Sequence, residues 1–141
     1  MKQVLESIEG AIENVILLQA TNPLRPQNLL AAAFEVYQKG NYDSLFTVSR
    51  NYCKLGRIEE NQFHPFNYTI GQRSQDLEPL YFENGLLYIT KASLILQDII
   101  VAENAFPFEV NSIFANVDID TQDDLDYAAY LFNKGSRLRS I

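Results

Sequence analysis

The stretch Val15-Ile16-Leu17-Leu18-Gln19-Ala20-Thr21-Asn22-Pro23-Leu24-Arg25-Pro26 decides the architecture. The wholly apolar run Val15 to Leu18 reads as a strand buried on both faces of a parallel sheet. A polar loop follows. Pro26 then suits the first turn of a helix, where a missing N–H is no loss. Leu29, Leu30, Ala33, Phe34 and Tyr37 recur at helical spacing, and Gly40 suits the C-terminal cap. Ser44 to Val48 returns to strand. Strand, helix and strand in that order form a βαβ unit, which places the chain in the α/β class.

Upstream, Val4, Leu5, Ile8, Ala11, Ile12 and Val15 keep helical spacing, so an amphipathic helix is expected there, weakened by Gly10. Downstream, residues 50–83 change character: Asn, Gln, Tyr and Phe are frequent and turn signals fall at Gly56, Asn61, Pro65 and Gly71. This stretch reads as an irregular arm inserted into the single domain 1–141, with a hairpin near Leu55-Ile58 and Phe63-Phe66. Leu86 to Thr90 reads as a strand, Ala92 to Ile100 as a helix and Ser112 to Val117 as a strand. A last helix carries Leu125, Ala128, Ala129 and Leu131, and a short basic tail with Arg137 and Arg139 follows from Gly135.

The chain has 141 residues, enough for one domain with a real core. A net charge of −7 argues against a surface built for DNA or RNA. Cys53 is the one cysteine, so no intramolecular disulfide forms, and a reducing, cytoplasmic setting is the default expectation. Cys53 reads as a packing residue. His64 is the one histidine, which rules out a His-cluster metal site and leaves it a structural role in Phe63-His64-Pro65-Phe66. No apolar run is long enough for a bilayer span, and the N-terminal pattern is not that of a signal peptide.

One junction carries chemistry: Val117-Asp118-Ile119-Asp120-Thr121-Gln122-Asp123-Asp124. If the strand continued to its end, Asp118 and Asp120 would share a face, and two like charges that close favour a cation between them. Carboxylate oxygens with water suit magnesium. The competing reading is a helix cap, since Thr121 with Asp124 approximates a capping box and acids suit a helix N-terminus.

In open α/β sheets, ligands bind beyond the C-terminal ends of the strands. Three polar segments fall there: Gln19 to Arg25; Arg73-Ser74-Gln75-Asp76-Leu77 leading to Asn84-Gly85-Leu86-Leu87-Tyr88-Ile89; and the Asp118/Asp120 junction. Together they resemble the acylneuraminate cytidylyltransferase family, whose members carry Leu-Gln-Pro-Thr-Ser-Pro-Leu-Arg after a strand. Later come an Arg/Gln-Asp-Leu segment and Asn-Gly-x-x-Tyr-Ile, then Asp-Ile-Asp-Thr before the last helix. The resemblance runs from about Val15 to Phe132.

That resemblance implies a Rossmann-like mixed sheet of the nucleotide-diphospho-sugar transferase type. It implies transfer of CMP from CTP to an acidic nine-carbon 2-keto sugar with release of pyrophosphate, assisted by magnesium. It places the metal on Asp118 and Asp120. It matches Gln19 to the glutamine that contacts the sugar, with hydrogen bonding to its own loop as an equal alternative. It matches Asn84 and Tyr88 to positions lining the sugar pocket, with a plain turn and a core aromatic as their alternatives. Arg73 is the best candidate for the sugar carboxylate or nearby hydroxyls, against a solvated surface arginine. Phe106 and Phe108 could wall the acyl group, but simple core packing is the stronger reading. The resemblance also implies a homodimer joined through the arm.

The departures are Ala20 for proline, Asn22 for serine, Ser74 between Arg73 and Gln75, and Leu86 for alanine, a bulkier residue expected to narrow the sugar pocket and favour a different or smaller substrate, or none. The glycines at 10, 40, 56, 71, 85 and 135 are scattered, so no Gly-rich loop cradles a triphosphate. The chain therefore reads as the C-terminal portion of the family fold, N-terminally truncated, with an exposed strand edge expected. A second reading is a non-catalytic sugar-binding or dimerising subunit of the same fold. A third is an unrelated α/β interaction module with accidental matches.

Overall fold

The computed structural model describes residues 1–138. One four-stranded mixed sheet, in the order β1-β5-β2-β6, forms the centre, and a separate two-stranded hairpin, β3-β4, forms the arm. The strands are β1 Asn14–Leu17, β2 Ser44–Asn51, β3 Gly56–Glu59, β4 Gln62–Pro65, β5 Leu80–Lys91 and β6 Ala105–Glu109. The helices are α1 Lys2–Ser7, α2 Leu29–Gly40, α3 Ala92–Ile95 and α4 Gln122–Leu138, with 3-10 turns at Ser74–Asp76 and Ile113–Asn116.

The α/β class holds, and the βαβ unit takes a split form. Both β1 and β2 pair antiparallel with β5, so they run parallel to each other with β5 between them. β6 pairs parallel with β2. α2 covers one face because Leu29, Ala33 and Tyr37, four residues apart, form a buried stripe. They pack on Leu45, Leu87 and Ile89 from β2 and β5. A smaller cluster joins α4, through Ala128 and Leu131, to Val117 and Leu24. Phe106 and Phe108 pack against the main core rather than walling a ligand pocket.

Several expectations are corrected. The first helix stops at Ser7, because Gly10 takes a φ of +117° and the chain turns out of helix. β1 is not buried on both faces; it is an edge strand with Ile16 39% exposed. The C-terminal αL position of α2 is filled by Asn41, at φ 50°, while Gly40 is required by the Tyr42 ring folded against it. α3 is a single turn, followed by Asp98 at φ 62°. Ile113 to Asn116 forms a 3-10 turn where a strand over Ser112 to Val117 is expected, with the Ser112 hydroxyl accepting from the Phe114 amide at 3.2 Å. The strand is β6, upstream. The arm hairpin lies where expected, but β2 runs on to Asn51 and β5 begins at Leu80, so the arm is shorter than 50–83. Cys53 is exposed on that arm instead of packed. α4 continues through Leu138, so residues 135–138 are helical; Arg139 lies outside the described residues.

β1 has one free edge, the other edge of the sheet being β6. No helix among the described residues is long and apolar enough to cross a membrane.

Candidate functional site

A long bulge in β5 builds the site. Phe46 opposes Tyr88 and Val48 opposes Glu83, so β2 spends one residue, Thr47, where β5 spends four, Asn84 to Leu87. Such an excess leaves ladder groups unpaired, and side chains take them up. The Thr47 hydroxyl accepts from the Leu87 amide at 3.1 Å and lies 3.3 Å from the Leu87 carbonyl. The Asn84 side chain accepts from the Leu86 amide at 3.2 Å and donates to the Ser49 hydroxyl at 3.0 Å. Gly85 sits at φ +71°, a conformation that disfavours any Cβ.

The loop after β1 closes over this bulge. An ideal Cβ on Gly85 would lie 2.1 Å from Gln19 Oε1, so the Gln19 side chain occupies the space that a side chain at 85 would need. Arg25 fastens the loop: its Nε donates to the Leu86 carbonyl at 2.9 Å, and its guanidinium also donates to the Gln19 carbonyl. Partial burial draws the Arg25 guanidinium below its usual pKa.

The junction at 117–121 docks on the same loop. The Ile119 amide donates to the Thr21 carbonyl at 2.9 Å, and Asn22 Nδ2 donates to Asp118 Oδ1 at 3.0 Å. The helix cap belongs to other residues. The Thr121 hydroxyl receives the Asp124 amide at 3.3 Å, and Asp124 Oδ2 receives the Thr121 amide at 2.8 Å and the Thr121 hydroxyl at 2.7 Å. These bonds, the side-chain one first, hold the Asp124 carboxyl below its ordinary range. Capping thus uses Thr121 and Asp124, with the Asp120 amide also donating to Asp124 Oδ2 at 3.2 Å, and leaves the Asp118 and Asp120 carboxylates exposed and outside the cap.

These segments enclose a cavity of about 190 Å³ lined by Gln19, Asn22, Phe82, Glu83, Asn84, Gly85, Tyr88, Ala115, Asn116 and Asp118. Four residues singled out from the sequence therefore meet: Gln19, Asn84, Tyr88 and Asp118. Two do not line it. Asp120 lies beyond, two residues along the chain. Arg73 is on the arm side, where its Nε pairs with Asp76 at 2.9 Å. His64 is on the exposed β4 strand. Four contributors to the site were not read from the sequence as site residues: Asn22, Glu83, Ser49 and Thr47. Tyr88 donates to Glu83 Oε2 at 3.2 Å. Burial first, then the Glu83 charge, holds the Tyr88 phenol above its usual pKa, so it stays a donor. A larger cleft of about 570 Å³ lies by Tyr37, Asn41 and Lys91, but its lysine is paired with Asp43 at 2.5 Å and it gathers none of the motif residues.

The donor set suits a hard cation. Asp118 and Asp120 offer only oxygen. Among the described residues no group of three His, Cys, Asp or Glu could enclose a metal. One or two carboxylates completed by water and ligand phosphate is how magnesium is usually held, so the residues fit that ion.

The fold is a mixed α/β domain with a polar cavity beside the β5 bulge. Its structure is similar to that of 4-diphosphocytidyl-2C-methyl-D-erythritol synthase from Anaerococcus prevotii, with a TM-score of 0.60 over 92% of this chain and 63% of that chain, at 14% identity. Likeness at that identity bears on the fold alone. No protein-family model matches the chain. Its sequence relatives are the cytidylyltransferases of acidic sugars, as the motifs indicate. It is 31% identical over 131 residues to the CMP-N,N'-diacetyllegionaminic acid synthase of Legionella pneumophila, covering 84% of this chain and 53% of that protein. It is 29% identical over 136 residues to the pseudaminic acid cytidylyltransferase of Campylobacter jejuni, covering 92% and 58%. It is 27% identical over 140 residues to an N-acylneuraminate cytidylyltransferase of Streptococcus agalactiae, covering 88% and 31%. The chain thus matches part of each relative, between 31% and 58% of its length.

Proposed function

We propose that this domain serves the transfer of CMP from CTP to a sialic-acid-like 2-keto sugar. The observation that carries the reading is the convergence of Gln19, Asn84, Tyr88 and Asp118 on one cavity. It is supported by the sequence relatives, all three of which act on acidic sugars by name.

In this reading Gln19 presents an amide to the sugar, held in place by Arg25 and by the space over Gly85. Tyr88, kept protonated, and Glu83 beside it present a donor and an acceptor to sugar hydroxyl or acylamido groups. Asn84 acts mainly through the backbone, since its amide is bonded to Ser49 and Leu86. Asp118 and Asp120 would hold magnesium, which would supply neutralisation of phosphate charge. The cavity offers no cation to a sugar carboxylate, because Arg73 is outside it and paired with Asp76. The arm exposes Ile58, Phe63, Phe66 and Ile70, at 79, 53, 62 and 87%, a surface suited to pairing with a second copy.

The test is pyrophosphate release from CTP and magnesium with sialic, legionaminic and pseudaminic acids in turn, against Asp118→Ala. Sugar-dependent release that the variant lacks supports the reading. The chain spans at most 58% of the length of these three relatives; a second reading is a non-catalytic sugar-binding or dimerising subunit of the same fold. Sugar binding without release points to that one.

A further inference from the structure

We propose that Asn22 is a positioning residue that sets Asp118 for cation binding; the inference rests on the metal reading of the Asp118/Asp120 junction. Asn22 is 1% exposed and lies 96 residues before the carboxylate it touches, with Nδ2 at 3.0 Å from Asp118 Oδ1. Its own Oδ1 is buried without a hydrogen-bond partner, one of only two such side-chain atoms among the described residues.

That combination is informative. A buried carbonyl without a protein donor works against the fold. The amide cannot turn over to find a donor, because a carboxylate only accepts and Nδ2 must face Asp118. The orientation is therefore dictated by Asp118, and the fold carries the unsatisfied oxygen as its consequence. The backbone makes the alignment firm. The Asn22 amide closes a turn on the Gln19 carbonyl at 3.2 Å, and the Ile119 amide meets the Thr21 carbonyl at 2.9 Å. The loop that seats Gln19 in the cavity is thus the same loop that grips the carboxylate.

Asp118 is exposed, and an exposed carboxylate otherwise rotates freely. A charge-assisted bond to Oδ1 fixes its plane and leaves Oδ2 for a cation.

The test uses Mn²⁺ as a paramagnetic probe on the ¹⁵N-labelled full chain, with Asn22→Ala, Asn22→Ser and Asp118→Ala. In the wild type, the amides of Ile119 and Asp120 broaden first, and in Asp118→Ala they do not. In Asn22→Ala, the Mn²⁺ concentration needed for the same broadening rises about 10–100-fold. Meanwhile sheet resonances away from the 19–25 loop stay in place. A merely structural asparagine would lower Tm and shift sheet resonances without changing the Mn²⁺ requirement. Equal broadening in wild type and Asn22→Ala overturns the positioning role and leaves the metal reading intact. Wild type and Asp118→Ala behaving alike overturns the metal reading, and the positioning role with it. Asn22→Ser, whose hydroxyl can still donate, should keep more of the Mn²⁺ affinity than Asn22→Ala. Should Asn22→Ala not fold, Asn22→Leu, which keeps the volume and lacks the donor, carries the same comparison.

Discussion

Gln19 and Gly85, separated by most of the sheet in sequence, occupy each other's space: a Cβ on Gly85 would lie 2.1 Å from Gln19 Oε1, and Gly85 itself takes a φ of +71°. Gly85→Ala therefore imposes two penalties. The left-handed backbone costs an alanine about 1–2 kcal/mol, and the methyl expels the Gln19 side chain from its seat. Thermal unfolding should show the first. Loss of sugar binding by calorimetry, beyond any loss attributable to unfolding, should show the second. An alanine variant that binds as the wild type does would separate Gln19 from the sugar.

Thr47 supplies the hydroxyl that the β5 bulge needs. It is 1% exposed and receives the Leu87 amide at 3.1 Å. Thr47→Val keeps the shape and strands that amide in the core. The expected cost is about 1–3 kcal/mol, read from the midpoint of urea unfolding. Thr47→Ser, which keeps the hydroxyl, should lose less.

The α4 cap ties stability to pH. The Thr121 hydroxyl and amide hold the Asp124 carboxyl below its ordinary pKa. A group lowered in the folded state stabilises above its unfolded pKa, and the contribution fades as pH falls through the folded one. Wild type should therefore exceed Asp124→Asn in Tm at neutral pH, and the gap should close on acidification through the carboxylate range. Thr121→Ala, which removes the N-cap itself, should cost about 1 kcal/mol. A pH-independent gap would show that the Asp124 charge is not what caps α4.

How far these features were legible depended on whether a local signal had a single meaning. α2 was plain, because its stripe at Leu29, Ala33 and Tyr37 has no other reading. The hairpin was plain from its turn residues. β6 was hidden because Pro107 interrupts Ala105-Phe106-Phe108, and proline speaks against a strand unless the strand is an edge, which this one is. The apolar run Ile113-Phe114-Ala115 imitated a strand, and only the Ser112 side-chain bond and the packing of Ala115 in the core turn it into a 3-10 turn. In the site, Gln19, Asn84, Tyr88 and Asp118 were found through ordered motifs. Ser49 and Thr47 were not, although polar residues inside the apolar run of β2 are a signal that some backbone group needs a partner. Asn22 stood out only as a departure from the family pattern; its contact lies 96 residues away and needed the fold to be seen.

The two sheet edges differ in their protection, and the difference predicts how the chain behaves in solution. β6 carries Pro107 at its centre and Glu109 at its end, both of which discourage a further strand. β1 reads Asn14-Val15-Ile16-Leu17, with no charge and no proline, and its one partner is β5. Ile16 is 39% exposed, and Leu18 just beyond it is 46% exposed. Unpaired backbone beside exposed aliphatic side chains is a template for another strand. Concentrating the chain should therefore drive association through this edge, and Ile16→Lys should suppress it. A lysine stem keeps contact with the apolar surface while its ammonium reaches water, so the fold should persist. Light scattering against concentration, with Tm as the control, makes the comparison. Association that is unchanged in Ile16→Lys and abolished by Ile58→Lys on the hairpin would move the contact from the β1 edge to the arm.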